Sequence, residues 1–454
     1  MPSSPTHRVD AGQSYRMLAD TATVGFWTGT SKTVGALKVF LAARLFGTGD
    51  AMDAYLIAFL IPSFVADVVA SPIEAVLLPA FVRARATSEQ TAERLYSEVL
   101  LAGTVALIVL ALIAVAVSGF ALPLLGASFE AEKLGYTRLL FFAMVLVIPL
   151  SGPWVTARSV LNAQGRFALA AALPSITPGV CIVVLLAAGH RWGVNSLALA
   201  TTGGIALQAG AAVAAVWFSG IRVRAVWTGV RNVMRDLGGE YLPLLFLSIL
   251  SGASVLIDQA FAGRLPAGSV STFSYGTRLP AVLMVLGPVA VGTVVLAHAS
   301  NMFRTRGVRL AQRALGRYSA VAFAVSLLGI VLLMSVSEPL LRIILGARAF
   351  TAQQIHAIAQ LQTVALLQVP LAILLAIGIR VIAAARQNRL LYGVAVITLL
   401  ATAALDVIFV RLWGLMGIAV AGSAVRLVSV LYVFCKIHSF RREEFTAGAF
   451  GSVS

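Results

Sequence analysis

Twelve stretches of about twenty apolar residues follow one another along the chain, each long enough to cross a hydrocarbon core of about 30 Å. They fall at 22–44, 54–80, 97–120, 137–158, 168–190 and 195–218, and then at 241–263, 273–298, 315–336, 357–380, 390–410 and 414–435. The pattern predicts an all-α polytopic membrane protein, and an even number of spans puts both termini on one side. Composition agrees: only 11% of the 454 residues are charged and the mean hydropathy is +0.93, whereas charged residues make up about 25% of an ordinary soluble domain.

The net charge of +16 is explained by topology rather than by nucleic acid, since the basic residues lie in short loops between spans and form no soluble basic face. Sorting the 34 Lys and Arg onto alternating sides places 22 on the side of the termini, 8 on the other, and 4 (Lys32, Lys38, Arg278 and Arg426) within spans. By the positive-inside rule the termini are cytoplasmic. Residues 1–21 are a polar cytoplasmic segment with no apolar core or cleavage site of a signal peptide. A six-span bundle at 22–218 then leads through 219–240 to a second bundle at 241–437 and a cytoplasmic tail at 438–454. The connection 219–240 mixes Arg with Val, Trp and Met and reads as an amphipathic interfacial linker.

The halves resemble each other. Arg44-Leu45, Tyr55 and Pro62 are echoed by Arg264-Leu265, Tyr275 and Pro280, with the Arg and Tyr pairs displaced by 220. Gln164-Gly165-Arg166 matches Gln387-Asn388-Arg389 at 223, and Trp192-Gly193-Val194 matches Trp413-Gly414-Leu415 at 221. A duplicated six-helix unit with an even span count gives parallel repeats about an axis along the membrane normal. Two pseudo-symmetric bundles around a central cavity, opening alternately to the two sides, are the expected architecture. One chain supplies both bundles, so a monomer suffices.

Eight ionisable residues lie within the spans, where a charge costs roughly 2.5 to 3.5 kcal/mol on insertion scales and so points to function. Asp67 and Glu74, seven residues apart, make one face of the second span acidic. Lys32 and Lys38 in the first span, with Arg278 in the eighth, have the chemistry to hold an anionic headgroup such as a diphosphate through charge-assisted hydrogen bonds. Alternatively, the lysines simply pair with Asp67 and Glu74. Asp258 and Asp406, with Thr402 and Ser423, suit a hard cation such as sodium, or a carboxylate there carries a proton. The competing reading is an ion pair with Arg426. Arg44, Asp50 and Glu240 sit at span ends as interface anchors.

Cys181 and Cys435 have no disulfide or zinc spacing and are packing residues. His7, His190, His298, His356 and His438 form no metal or nucleophile cluster, and the loops opposite the termini are short, so an enzyme is not expected.

The segments SKTVGALKVFLAARLFGTGDAMDAYLIAFLIP, LLFFAMVLVIPLSGPWVTARSVLNAQGRFALAAALPSITP and LSGASVLIDQAFAGRLPAGSVSTFSYGTRLPAVLMVLGPVAVGTVVLAHAS resemble the MurJ/MviN branch of the multidrug/oligosaccharidyl-lipid/polysaccharide exporter superfamily. The resemblance implies flipping of an undecaprenyl-diphosphate-linked saccharide from the cytoplasmic to the outer leaflet of the bacterial inner membrane, for cell-envelope glycan synthesis. It places Lys32, Lys38, Asp53 and Arg278 at the substrate cavity and carries a sodium site between helices seven, eleven and twelve to Asp258 and Asp406. The sequence departs from lipid II flippases at Ala66, which stands with Asp67 beside it in place of a second-helix arginine, and at Thr277, in place of an aspartate. Lipid II and an exopolysaccharide or O-antigen repeat unit are thus both candidate substrates. A cation-coupled multidrug antiporter of the same superfamily, using Asp67 and Glu74, is the alternative.

Overall fold

The structure is a computed structural model that describes residues 11–223, 230–287, 308–346, 350–384, 387 and 389–439. The described residues contain helices and no strand. In chain order the helices are α1 (Ala11–Phe46), α2 (Asp50–Thr87), α3 (Glu89–Leu125), α4 (Ala131–Met144), α5 (Val147–Ala163), α6 (Phe167–Ala172), α7 (Ile176–Trp192) and α8 (Val194–Trp217). They continue as α9 (Val230–Ala262), α10 (Ser269–Gly276), α11 (described over 278–287), α12 (Val308–Leu345), α13 (Ala352–Leu366), α14 (Gln368–Ala384), α15 (Arg389–Trp413) and α16 (Leu415–His438).

Among the described residues ten helical stretches are long and apolar enough to span a bilayer, and they fall on ten of the twelve expected spans. The other two are 22–44, which lies within the 36-residue α1, and 273–298, described only as far as 287. Residues 224–229 of the 219–240 connection lie outside the described residues, and from Val230 the connection is already the first turns of α9.

Two spans are broken by proline where the chemistry requires it. Proline lacks an N–H and its ring clashes with the carbonyl four residues earlier. Pro149 does this at Val145, where the helix pauses between α4 and α5, and Pro370 does it at Leu366, the last residue of α13.

The break recurs at a displacement of 221, as do other landmarks. Gly193 (φ 55°, ψ −143°) joins α7 to α8, and Gly414 (φ 55°, ψ −131°) joins α15 to α16. Each glycine donates its N–H to the carbonyl four residues back, at 3.0 Å for Gly193 and 2.9 Å for Gly414. Each also accepts from the amide three residues on, Ser196 at 3.1 Å and Gly417 at 3.0 Å. A side chain at such a backbone angle is strained, so only glycine serves. α5 and α7 pack on α8 as α14 and α15 pack on α16. The duplication read from short motifs is therefore a repeat of geometry.

The chain divides into two compact units, one holding the described residues of 1–41, 65–115 and 142–242, the other those of 42–64, 116–141 and 243–454. The core of the first is built on Leu77, Phe81, Tyr96, Trp154, Leu161 and Val216. That of the second is built on Leu366, Ile373, Ile377, Ile382, Val433 and Ile437. Leu112 and Phe120 of α3, and Val325 and Leu328 of α12, are exposed. Such bare apolar groups are costly in water and are at home against lipid chains.

Candidate functional site

The second unit gathers the ends of helices from both sequence halves on the arginine-poor side. Asp53, in the first turn of α2, is only 1% exposed. Its Oδ2 accepts from the Gly268 amide at 2.7 Å and its Oδ1 from the Ser271 amide at 2.8 Å, capping α10. Lys133 of α4 reaches Asp53 at 3.3 Å and Asp50 at 2.6 Å while its ammonium lies 3.8 Å from the centroid of Phe129. Around this node Ser128 Oγ donates to the carbonyls of Gly263 (2.8 Å) and Leu265 (3.0 Å), Tyr275 Oη to Gly47 (3.0 Å), and Gln354 Nε2 to Thr48 Oγ1 (2.9 Å). A carboxylate at a helix N-terminus complements both the free amides and the dipole. Asp53, expected at the substrate, instead clamps helix ends together, and Asp50, expected as an interface anchor, is part of the clamp.

In the first unit Lys32 and Asp67 are both exposed and attract each other electrostatically, while Lys38 is half-buried. Glu74 has a different partner from the one expected. Arg158 Nη1 lies 3.3 Å from its Oε2, and Asn162 Nδ2 donates to its Oε1 at 3.1 Å. The Arg158 guanidinium also faces the Trp154 ring at 5.6 Å. The alternative in which both lysines pair with both acids is thus corrected at Glu74, which α5 satisfies.

Arg278, at the start of α11, is half-buried, and its Nε–H has no hydrogen-bond partner among the described residues. A desolvated donor on a permanent cation is ready for an anionic acceptor.

Deeper in the second unit a cavity of about 350 Å³ is lined by Ser254 and Asp258 of α9, Gln368 of α14, Thr402 of α15 and Arg426 of α16, among others. Asp406 is completely buried, and neither of its oxygens has a hydrogen-bond donor among the described residues. Asp258 lies within electrostatic reach of it and of Arg426. Two carboxylates so placed must hold a proton or a cation between them. Thr402 donates to Thr398 O at 2.9 Å and keeps its oxygen lone pairs free to coordinate. Ser423 is elsewhere: its hydroxyl contacts the carbonyls of Ala419 (3.2 Å) and Val364 (3.4 Å) and does not line the cavity. Ser254, whose buried hydroxyl has no partner, was missed because a lone serine in an apolar span carries no signal.

A helical chain with ten described spans, a repeated hairpin geometry and charged groups held inside the spans is a polytopic membrane transporter. The sequence model of the family described as "Lipid II flippase MurJ" matches residues 42–446, and the chain belongs to that family, one of transporters rather than enzymes. It is 25% identical over 345 residues to a probable lipid II flippase MurJ of Thermotoga maritima, covering 75% of this chain and 68% of that protein. Its identity to the Vibrio cholerae protein of the same description is 24% over 465 residues, covering 94% and 83%. Among solved structures it is similar to a lipid II flippase MurJ in an inward closed conformation, with TM-score 0.80, 21% identity and coverage of 93% and 89%. An inward-facing multidrug transporter of the MATE family and MOP superfamily aligns with TM-score 0.69 at 13% identity, covering 93% and 96%, a likeness of fold alone.

Proposed function

We propose that the chain is an alternating-access flippase that carries lipid II, an undecaprenyl-diphosphate-linked saccharide, from the cytoplasmic to the outer leaflet of the bacterial inner membrane, with both termini cytoplasmic and one chain acting alone. The family match over residues 42–446 carries the reading. The chemistry of the spans supports it. A diphosphate and its sugars cannot cross hydrocarbon, and Lys32, Lys38 and the unpartnered Nε–H of Arg278 supply cations and donors in place of water. Asp67, beside Lys32, limits the net charge of the first unit so that the headgroup can be released. The Asp53 clamp ties the arginine-poor ends of α2, α4 and α10 together within the second unit.

The cavity lined by Asp258 and Thr402 is the candidate place for a coupling ion, and the orphaned oxygens of Asp406, near Asp258, suit a sodium ion there. That ion would supply a charge moving inward as the anionic headgroup moves outward. Each charge crossing the full potential is worth about 2.3 kcal/mol per 100 mV. Ser423 has no part in this site.

Mass spectrometry of lipids retained through gentle purification tests the substrate. The reading expects an undecaprenyl-diphosphate muropeptide on the wild type and its loss from Arg278→Ala. A polysaccharide repeat unit of different mass would replace lipid II as the substrate, and bulk phospholipid alone on both proteins would contradict the reading.

A further inference from the structure

A second polar site lies in the second unit, away from the charges used above. α12, α13 and the start of α16 enclose an open groove of about 850 Å³ whose lining includes Met334, Ser335, Glu338, Arg342, Thr363 and Met416. Glu338 is its centre. Arg342 Nη2 lies 2.6 Å from its Oε1 and His356 Nδ1 3.0 Å from its Oε2, while Gln360 Nε2 is 2.9 Å from His356 Nε2. Arg342 is 61% exposed and Glu338 30%.

The hydrogen-bond inventory identifies what this groove can take. A carboxylate offers about four lone-pair sites and a guanidinium five N–H donors. Arg342 and His356 use two of the carboxylate sites, and Glu338 uses one of the guanidinium donors. The hydroxyls of Ser335 and Thr363 donate to their own helices, at 2.7 Å to Leu332 O and 2.8 Å to Ala359 O, so each faces outward as an acceptor. The groove therefore presents a cluster of acceptors beside one exposed cation. Its complement is a zwitterion with a multiply donating ammonium next to an anionic phosphate.

The surroundings identify where that zwitterion comes from. Val331, Leu332 and Val336 of α12 are exposed apolar side chains just before Glu338, so this flank of a spanning helix meets lipid. Glu338 is seven residues from the end of α12 at Leu345, about 10 Å along a helix axis. The apolar run 315–336 ends two residues before Glu338, which puts Glu338 at the edge of the hydrocarbon core, beside the headgroups.

We propose that the groove between α12, α13 and α16 binds the headgroup of a glycerophospholipid bearing a primary ammonium, with Glu338, Ser335 and Thr363 accepting from the ammonium and Arg342 donating to the phosphate. A choline headgroup lacks the N–H donors and a glycerol headgroup lacks the cation, so both are discriminated against.

The test is native mass spectrometry of the purified full chain given equal amounts of phosphatidylethanolamine, phosphatidylcholine and phosphatidylglycerol. The wild type is expected to retain phosphatidylethanolamine over phosphatidylcholine by roughly tenfold, the weight of one hydrogen bond to a charged group. Glu338→Gln brings that ratio close to one, and Arg342→Gln lowers retention of all three lipids. Equal retention by the wild type, a preference for phosphatidylglycerol, or a preference that survives Glu338→Gln each overturns the proposal. The wild-type ratio decides the matter even if a variant is recovered poorly, and it does not depend on which saccharide is flipped.

Discussion

Asp53 and Asp406 are both carboxylates in the second unit, at 1% and 0% exposure, yet their surroundings are opposite. Asp53 receives two backbone amides and an ammonium, whereas Asp406 receives no donor on either oxygen. Burial alone therefore does not mark a functional charge. A saturated carboxylate is a structural clamp, while one left unsatisfied beside a second carboxylate is the one open to the cation or proton proposed above.

The sharpest way to break this contrast is to remove each carboxylate. Asp53→Ala strips the α10 amides and Lys133 of a buried partner, an expected loss of about 3 to 5 kcal/mol. Chemical denaturation in detergent should show it, and unchanged stability would refute the clamp. Asp406→Asn should leave stability unchanged or raised, because an unpartnered buried charge is relieved. It should slow ion-driven flipping by at least tenfold, an outcome read by comparing transport with and without an imposed sodium or proton gradient.

Glu74 is intermediate, since it is partnered by Arg158 and Asn162 but partly exposed. Glu74→Gln is expected to cost about 1 kcal/mol in the same unfolding measurement, in keeping with a solvent-screened pair. Ser423→Ala completes the series with the smallest effect: transport and its ion dependence should be unaltered, and a tenfold loss would return Ser423 to the cation site.

The fold was legible because its grammar is local. An apolar run of about twenty residues declares a span by itself, and Pro149, Pro370, Gly193 and Gly414 mark breaks and turns through their own backbone chemistry. The duplication showed at Gly193 and Gly414 within their Trp-Gly motifs, while the matching breaks at Pro149 and Pro370 emerged only from the structure. Charge pairing was less legible, because it depends on which helices touch. Glu74 and Asn162 are 88 residues apart, and Asp53 and Gly268 are 215 apart, with nothing in either local pattern to match them. The Asp53 partners are backbone amides, which no side-chain motif can announce. Asp258 and Asp406 are conspicuous in the sequence as carboxylates in spans, and the structure sets Asp258 and Thr402 on one cavity, whereas the Ser423 hydroxyl turns toward Val364 and Ala419.

The most direct test of the account is a flipping assay with the purified protein in vesicles carrying lipid II in the leaflet equivalent to the cytoplasmic one, under an imposed inside-negative potential. The account predicts lipid II reaching the opposite leaflet far faster than in protein-free vesicles, with the rate cut at least tenfold by Arg278→Ala. Transfer no faster than in protein-free vesicles, or a rate untouched by Arg278→Ala, would contradict it.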